Sequence, residues 1–151
     1  MSTRSTTHFI HGNEANPTAI IYRHSDGYPE AAGVDLRKFL EECAKLSDPR
    51  FTDPSYLAAK YVVFLADLFN NTWDWKTGKE VRYESKLEFL SVGVMSSDPS
   101  DIEYRYIVDC GTIVDGRPVI RCYAVSMDWK TGTETQKKKV EIPALEKEET
   151  K

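Results

Sequence analysis

The apolar positions of this chain change period twice, and each change marks an element. Thr6 to Ile10 alternates weakly and is rich in β-formers. Gly12 to Pro17 reads as a loop, and Thr18 to His24 as a second strand antiparallel to the first. On that second strand Thr18, Ile20, Tyr22 and His24 share one face, and Ala19, Ile21 and Arg23 the other. Both faces are partly apolar, which predicts a central or covered strand. The run stops at Asp26-Gly27, with Pro29 close behind.

The period then becomes helical. Leu36, Phe39, Leu40 and Cys43 make one stripe within Val34 to Leu46. Asp53-Pro54 is a helix start, with Asp53 as cap and Pro54 in the first turn, where its missing N–H costs nothing. Leu57 to Phe69 is apolar on most sides, which predicts a largely buried helix. Leu87 to Met95 reads as a strand whose parity slips between Phe89 and Leu90, from a bulge or from cover on both faces. Ile102 to Cys110 and Val119 to Met127 are the clearest strands. Gln136 to Ile142 is a final edge strand protected by Lys137, Lys138 and Lys139.

Asp115-Gly116 is a strong hairpin turn. Counting back from it pairs Val114 with Arg117, Ile113 with Pro118 and Asp109 with Cys122. In that register Tyr104, Tyr106, Val108 and Cys110 share a core face with Val119, Arg121, Tyr123, Val125 and Met127. Cys110 and Cys122 then lie on opposite faces, so no disulfide joins them. Asp74-Trp75-Lys76-Thr77-Gly78 recurs as Asp128-Trp129-Lys130-Thr131-Gly132. Turn chemistry accounts for the echo: Asp opens each turn and Gly takes the left-handed position. A tryptophan at the same place in both turns leaves a paired binding element open, because exposed aromatics anchor partners. Trp75 and Trp129, with Arg121, are the candidate partner-binding residues.

Together these elements predict an α+β fold, with an antiparallel sheet of about five to seven strands packed on one face against two central helices. Residues 1–145 form one domain, and 146–151 a charged tail. Of the 151 residues 40% are apolar and 29% charged, with a net charge of −4. That balance argues against a general nucleic-acid binder. No apolar run approaches the roughly 20 residues that span a bilayer, and no signal-peptide pattern follows Met1, so a cytoplasmic protein is expected. Three widely spaced cysteines read as buried free thiols.

The sequence carries no phosphate-loop, nucleophile-elbow or zincin signature, and it implies no cofactor. His8, His11 and His24 are its histidines. His8, His24 and Asp26 are weak candidates for acid–base catalysis in a small hydrolase or phosphodiesterase, and their spacing fits no particular metal site. If the first hairpin pairs, Arg4 and Thr6 approach Tyr22, Arg23, His24, Asp26 and Tyr28 at one end of the sheet. Arginine forks and hydroxyls there suit a small anionic ligand, a nucleotide for instance. The alternative is an Arg4–Asp26 ion pair that only locks the hairpin.

The run Ser2-Thr3-Arg4-Ser5-Thr6 and the segment Tyr22-Arg23-His24-Ser25-Asp26-Gly27-Tyr28-Pro29-Glu30 resemble small uncharacterised phage and prophage proteins. Those begin with Thr-Arg-Ser-Thr and carry Tyr-x-His-Trp-Asp-Gly-Tyr-Pro; Ser25 stands where that pattern has Trp. The resemblance implies a phage-encoded accessory protein in the host cytosol that binds and antagonises a host defence component, either a protein or a nucleotide-like signal. A plain interaction subunit, homo-oligomeric through a sheet edge or exposed aromatics, is the remaining reading.

Overall fold

The computed structural model describes residues 2–74, 76–88 and 90–146. Its strands are β1 (Ser5–Ile10), β2 (Ala19–Arg23), β3 (Asn71–Asp74), β4 (Lys79–Arg82), β5 (Val92–Met95), β6 (Tyr104–Val114), β7 (Arg117–Met127) and β8 (Glu134–Val140). Between β2 and β3 lie a π-helical turn (Pro29–Gly33), α1 (Val34–Ala44) and α2 (Pro54–Asn70). The main sheet has six strands in the order β5-β2-β1-β6-β7-β8, and β3 and β4 form a separate hairpin. The fold is α+β, as the periodicities predict. The first hairpin and the C-terminal meander share one sheet, because β1 pairs with β2 on one side and β6 on the other. The β1–β6 pairing is parallel, so the sheet is mixed rather than wholly antiparallel.

Both helices cover one face. Leu36, Phe39, Leu40 and Cys43 of α1 meet Leu57, Ala58, Tyr61 and Leu65 of α2 over Phe9, Ile21, Tyr106, Val108 and Cys122. Asp53 caps α2 by accepting from the backbone N–H groups of Ser55 and Tyr56. The helix is less buried than its composition predicts. Its core stripe is covered, but Val63 is 64% and Tyr56 52% exposed, the latter met by the Arg50 guanidinium over its ring.

The repeated turns are alike. In each, the Asp carboxylate accepts the N–H of Lys76 or Lys130 at 2.9 Å. Gly78 and Gly132 then donate back to the Asp carbonyl from φ of 67° and 70°. Trp75 lies outside the described residues, as do Phe89 and residues 147–151 of the charged tail. The strand expected from Leu87 begins only at Val92. Ser85 instead takes the N–H groups of Leu87 and Glu88 into a turn, and the parity slip at Phe89 lies outside the described residues.

The β6–β7 register corrects the count from the turn. Val114 pairs with Arg117 and Ile113 with Pro118, as expected, but Asp109 pairs with Val119 and not with Cys122. Cys110, Gly111 and Thr112 are looped out as a bulge. Asp109 holds it, accepting from Gly111 N at 2.9 Å, Thr112 Oγ1 at 3.0 Å and Gly12 N at 3.0 Å. A Cβ on Gly111 would sit 2.9 Å from Gly12 N, so only glycine lets the bulge close on the β1–β2 loop. An odd number of extra residues inverts the β7 faces. Cys122 therefore faces the core beside Tyr106, and Arg121 faces away from it, opposite Ile107. The cysteines are free and buried, but Cys110 and Cys122 both lie in the core cluster instead of on opposite faces.

Candidate functional site

The face of the sheet away from the helices carries the chemistry. Alternation along β1 and β2 places Arg4, Thr6, His8, Ile20, Tyr22 and His24 there. On β6 and β7 the same face takes Arg105, Ile107, Asp109, Arg121 and Tyr123. It is partly roofed by the β1–β2 loop and by the Ser96–Asp101 segment that follows β5.

Two clusters form on it, each closed by an aspartate from that roof. At the sheet end, Arg4 Nε lies 3.2 Å from Asp101 Oδ2 and 3.4 Å from His24 Nδ1. Tyr22 Oη lies 3.0 Å from the same His24 nitrogen and 3.4 Å from Asp101. Arg4, Tyr22 and His24 thus meet as the hairpin predicts, but the carboxylate among them is Asp101, not Asp26. This cluster is exposed, and its cation is already opposed by a carboxylate.

The second cluster is more enclosed: Thr6 and His8 are buried, and Asp98 and Arg105 half-buried. Asp98 accepts from Thr6 Oγ1 at 2.6 Å, His8 Nε2 at 2.7 Å, and Arg105 Nε and Nη2 at 2.7 and 2.6 Å. Arg105 also reaches Glu134 at 2.7 Å. Burial pushes the Asp98 carboxyl up, but its hydrogen bonds and charges from His8, Thr6 and Arg105 outweigh that and hold it at about 2. His8 is buried too, and its Nδ1 has no hydrogen-bond partner among the described residues.

Beside this cluster the face opens into a recess of about 330 Å³. His8, Ile20, Arg105 and Ile107 line its floor, the loop residues Glu14, Ala15 and Pro17 one wall, and Ser96, Ser97 and Asp98 another, with Lys137 at the rim. Its volume is at the small end of the range for small-molecule sites, and its lining, in which Ile20 and Ile107 stand among charged and polar side chains, is more polar than most such sites.

The remaining candidates lie elsewhere. Arg23 points to the helix side, bonded to Asp35 at 2.9 Å and to the Ser25 carbonyl at 2.8 Å, with its guanidinium over Phe69. Asp26, at φ 54°, and Tyr28 are exposed in the turn that leads to α1. His8 faces Ile20 in the register, so His24 lies four residues, or about 13 Å, further along the strand. The proposed catalytic trio is therefore not brought together. No group of three metal-binding side chains converges among the described residues, and no helix among them is long and apolar enough to cross a membrane. Trp129 is 77% exposed at its turn.

Sequence reasoning missed Asp98, Asp101, Arg105, Glu14 and Lys137. The available signal was two aspartates in one loop, Ser96 to Asp101, directly before a strand bearing Arg105. No family model matches the chain, and no curated protein or solved structure matches it.

Proposed function

We propose that this chain works by binding and not by catalysis, with a small ligand seated in the recess on the helix-free face of the sheet. The observation that carries this reading is His8. Its ring lines the recess, one nitrogen is committed to Asp98, and the other is buried with no partner among the described residues. A buried unpaired polar atom costs about 1–3 kcal/mol, a cost that a ligand relieves once the His8 ring turns that nitrogen towards the recess.

The same geometry disfavours acid–base chemistry. Asp98 is held near 2 with both oxygens occupied, so it is a poor base at neutral pH. Because the lining mixes Lys137 and Arg105 with isoleucines, the ligand combines an apolar body with a charged group. With the resemblance to phage accessory proteins, the biological role is sequestration of a host signal or defence component.

Trp129 favours a second version of the same role, in which the partner is a host protein gripped at the exposed turn. Saturation-transfer NMR with a fragment mixture, on the wild type and on Ala15→Trp, separates the two. Recess binding predicts fragment signals that the Trp side chain abolishes. Signals unaffected by Ala15→Trp contradict it, and a host-lysate partner lost only on Trp129→Ala supports the protein version.

A further inference from the structure

Glu14 and Asp98 are two carboxylates on one sheet face, and they are held very differently. Asp98 contacts its donors at 2.6–2.7 Å. Glu14, on the β1–β2 loop, sits among three donors and reaches none of them well. Arg121 Nη2 is 3.3 Å from Oε2, Tyr123 Oη donates to the same oxygen at 3.3 Å, and Lys137 Nζ is 3.9 Å from Oε1. Charge-assisted N–H···O bonds are normally about 2.7–2.9 Å.

The donors are under-used as well. Arg121 Nε is buried with no partner among the described residues. Its Nη2 is shared at 3.4 Å with Asp109, whose oxygens are mainly engaged by Gly12, Gly111 and Thr112. Besides Glu14, Lys137 meets only the face of the Tyr123 ring among the described residues. A guanidinium offers five N–H donors in a fixed fork, and a side chain tethered to the loop does not fill it.

We propose that Glu14 is a place-holder. Arg121, Tyr123 and Lys137 form an anion cradle behind the Glu14 wall of the recess, and the carboxylate or phosphate of a ligand displaces the Glu14 side chain from it. This rests on the recess being the binding site, and it supplies the ligand's chemical class. Ile20, His8, Ile107 and Arg121 form one row across neighbouring strands. An anion on Arg121 therefore lays the rest of the ligand over Ile107 towards His8, about 10 Å away. Exchanging one negative charge for another keeps the face balanced. The displaced Glu14, whose side chain is already 33% exposed, moves into solvent.

The test is a titration of the wild type, Glu14→Ala, Glu14→Gln and the double variant Glu14→Ala/Arg121→Gln with sodium phosphate and with sodium acetate at fixed ionic strength. NMR follows the Arg121 Nε–H and the Ile107 methyls. The expected result is phosphate or acetate binding at least about tenfold tighter in Glu14→Ala than in wild type, lost again in the double variant. Tenfold corresponds to about 1.4 kcal/mol. Glu14→Gln keeps the side-chain shape and should also bind tighter; it carries the test if Glu14→Ala does not fold. Equal titration of wild type and both Glu14 variants overturns the cradle, and so does undiminished affinity in the double variant. A neutral probe, indole, distinguishes the two failures. If indole moves Ile107 while the anions do nothing, the recess stands and the cradle falls. If neither moves it, both fall.

Discussion

At the scale of single residues, Asp98 is the pivot. Its folded carboxyl sits at about 2, below the ordinary 3.8. A depressed folded value contributes stability that is complete above the unfolded value and is lost as pH falls through the folded one. The window is therefore about pH 4 down to pH 2, and the contribution about 2 kcal/mol. Urea unfolding of wild type and Asp98→Asn across that window should show their stability gap shrinking with acid; a gap that stays constant would refute the assignment. Asp98→Ala should cost about 1–3 kcal/mol, because it removes the acceptor of buried Thr6 and His8 and leaves half-buried Arg105 with Glu134 alone. Arg4→Ala, which breaks an exposed pair with Asp101, should cost no more than about 1 kcal/mol. The thiols of Cys110 and Cys122 are pushed up to about 12, chiefly by burial. At pH 8 both should resist a disulfide reagent until denaturant is added, and rapid native labelling of either would contradict their placement.

At the scale of elements, the lesson lies in the β6–β7 hairpin. Asp115-Gly116 located the turn and the first two pairs correctly. Counting further failed because a hairpin rule carries no information about a bulge, and Cys110, Gly111 and Thr112 are compatible with a regular strand. Asp109 and Gly111 were the clue, but their roles depend on Gly12, nearly a hundred residues earlier in the chain. Gly111→Ala should destabilise the protein by about 1–3 kcal/mol, because the added carbon meets backbone that must move. Unchanged stability on thermal unfolding would mean that the bulge does not close against the loop as described. By contrast, the α1 stripe, the Asp53 cap and the two Asp-Trp-Lys-Thr-Gly turns were legible, since each is decided by neighbours within a few residues.

For the whole molecule, non-local pairing decided where the site lies. The parallel partnership of β1 with β6 brings Arg105 beside Thr6 and Ile107 beside His8. The sequence identified Thr6, His8, Arg4, Tyr22 and His24 as polar groups on one hairpin, and a hairpin alone fixes only their spacing. It did not say which distant loop would roof them, so the partner was expected to be Asp26 when it is Asp98 and Asp101 that descend on the face. The consequence is a change of address: the proposed site moves from the sheet end to the recess lined by His8, Ile107 and Lys137. Methyl NMR of selectively labelled isoleucines tests that address most directly, with a fragment mixture titrated into the wild type and into Ala15→Trp. Binding in the recess predicts saturable shifts of Ile20 and Ile107 in the wild type and none in the variant. Saturable shifts confined to Ile120 on the opposite face, or shifts of Ile107 that survive Ala15→Trp, would contradict it.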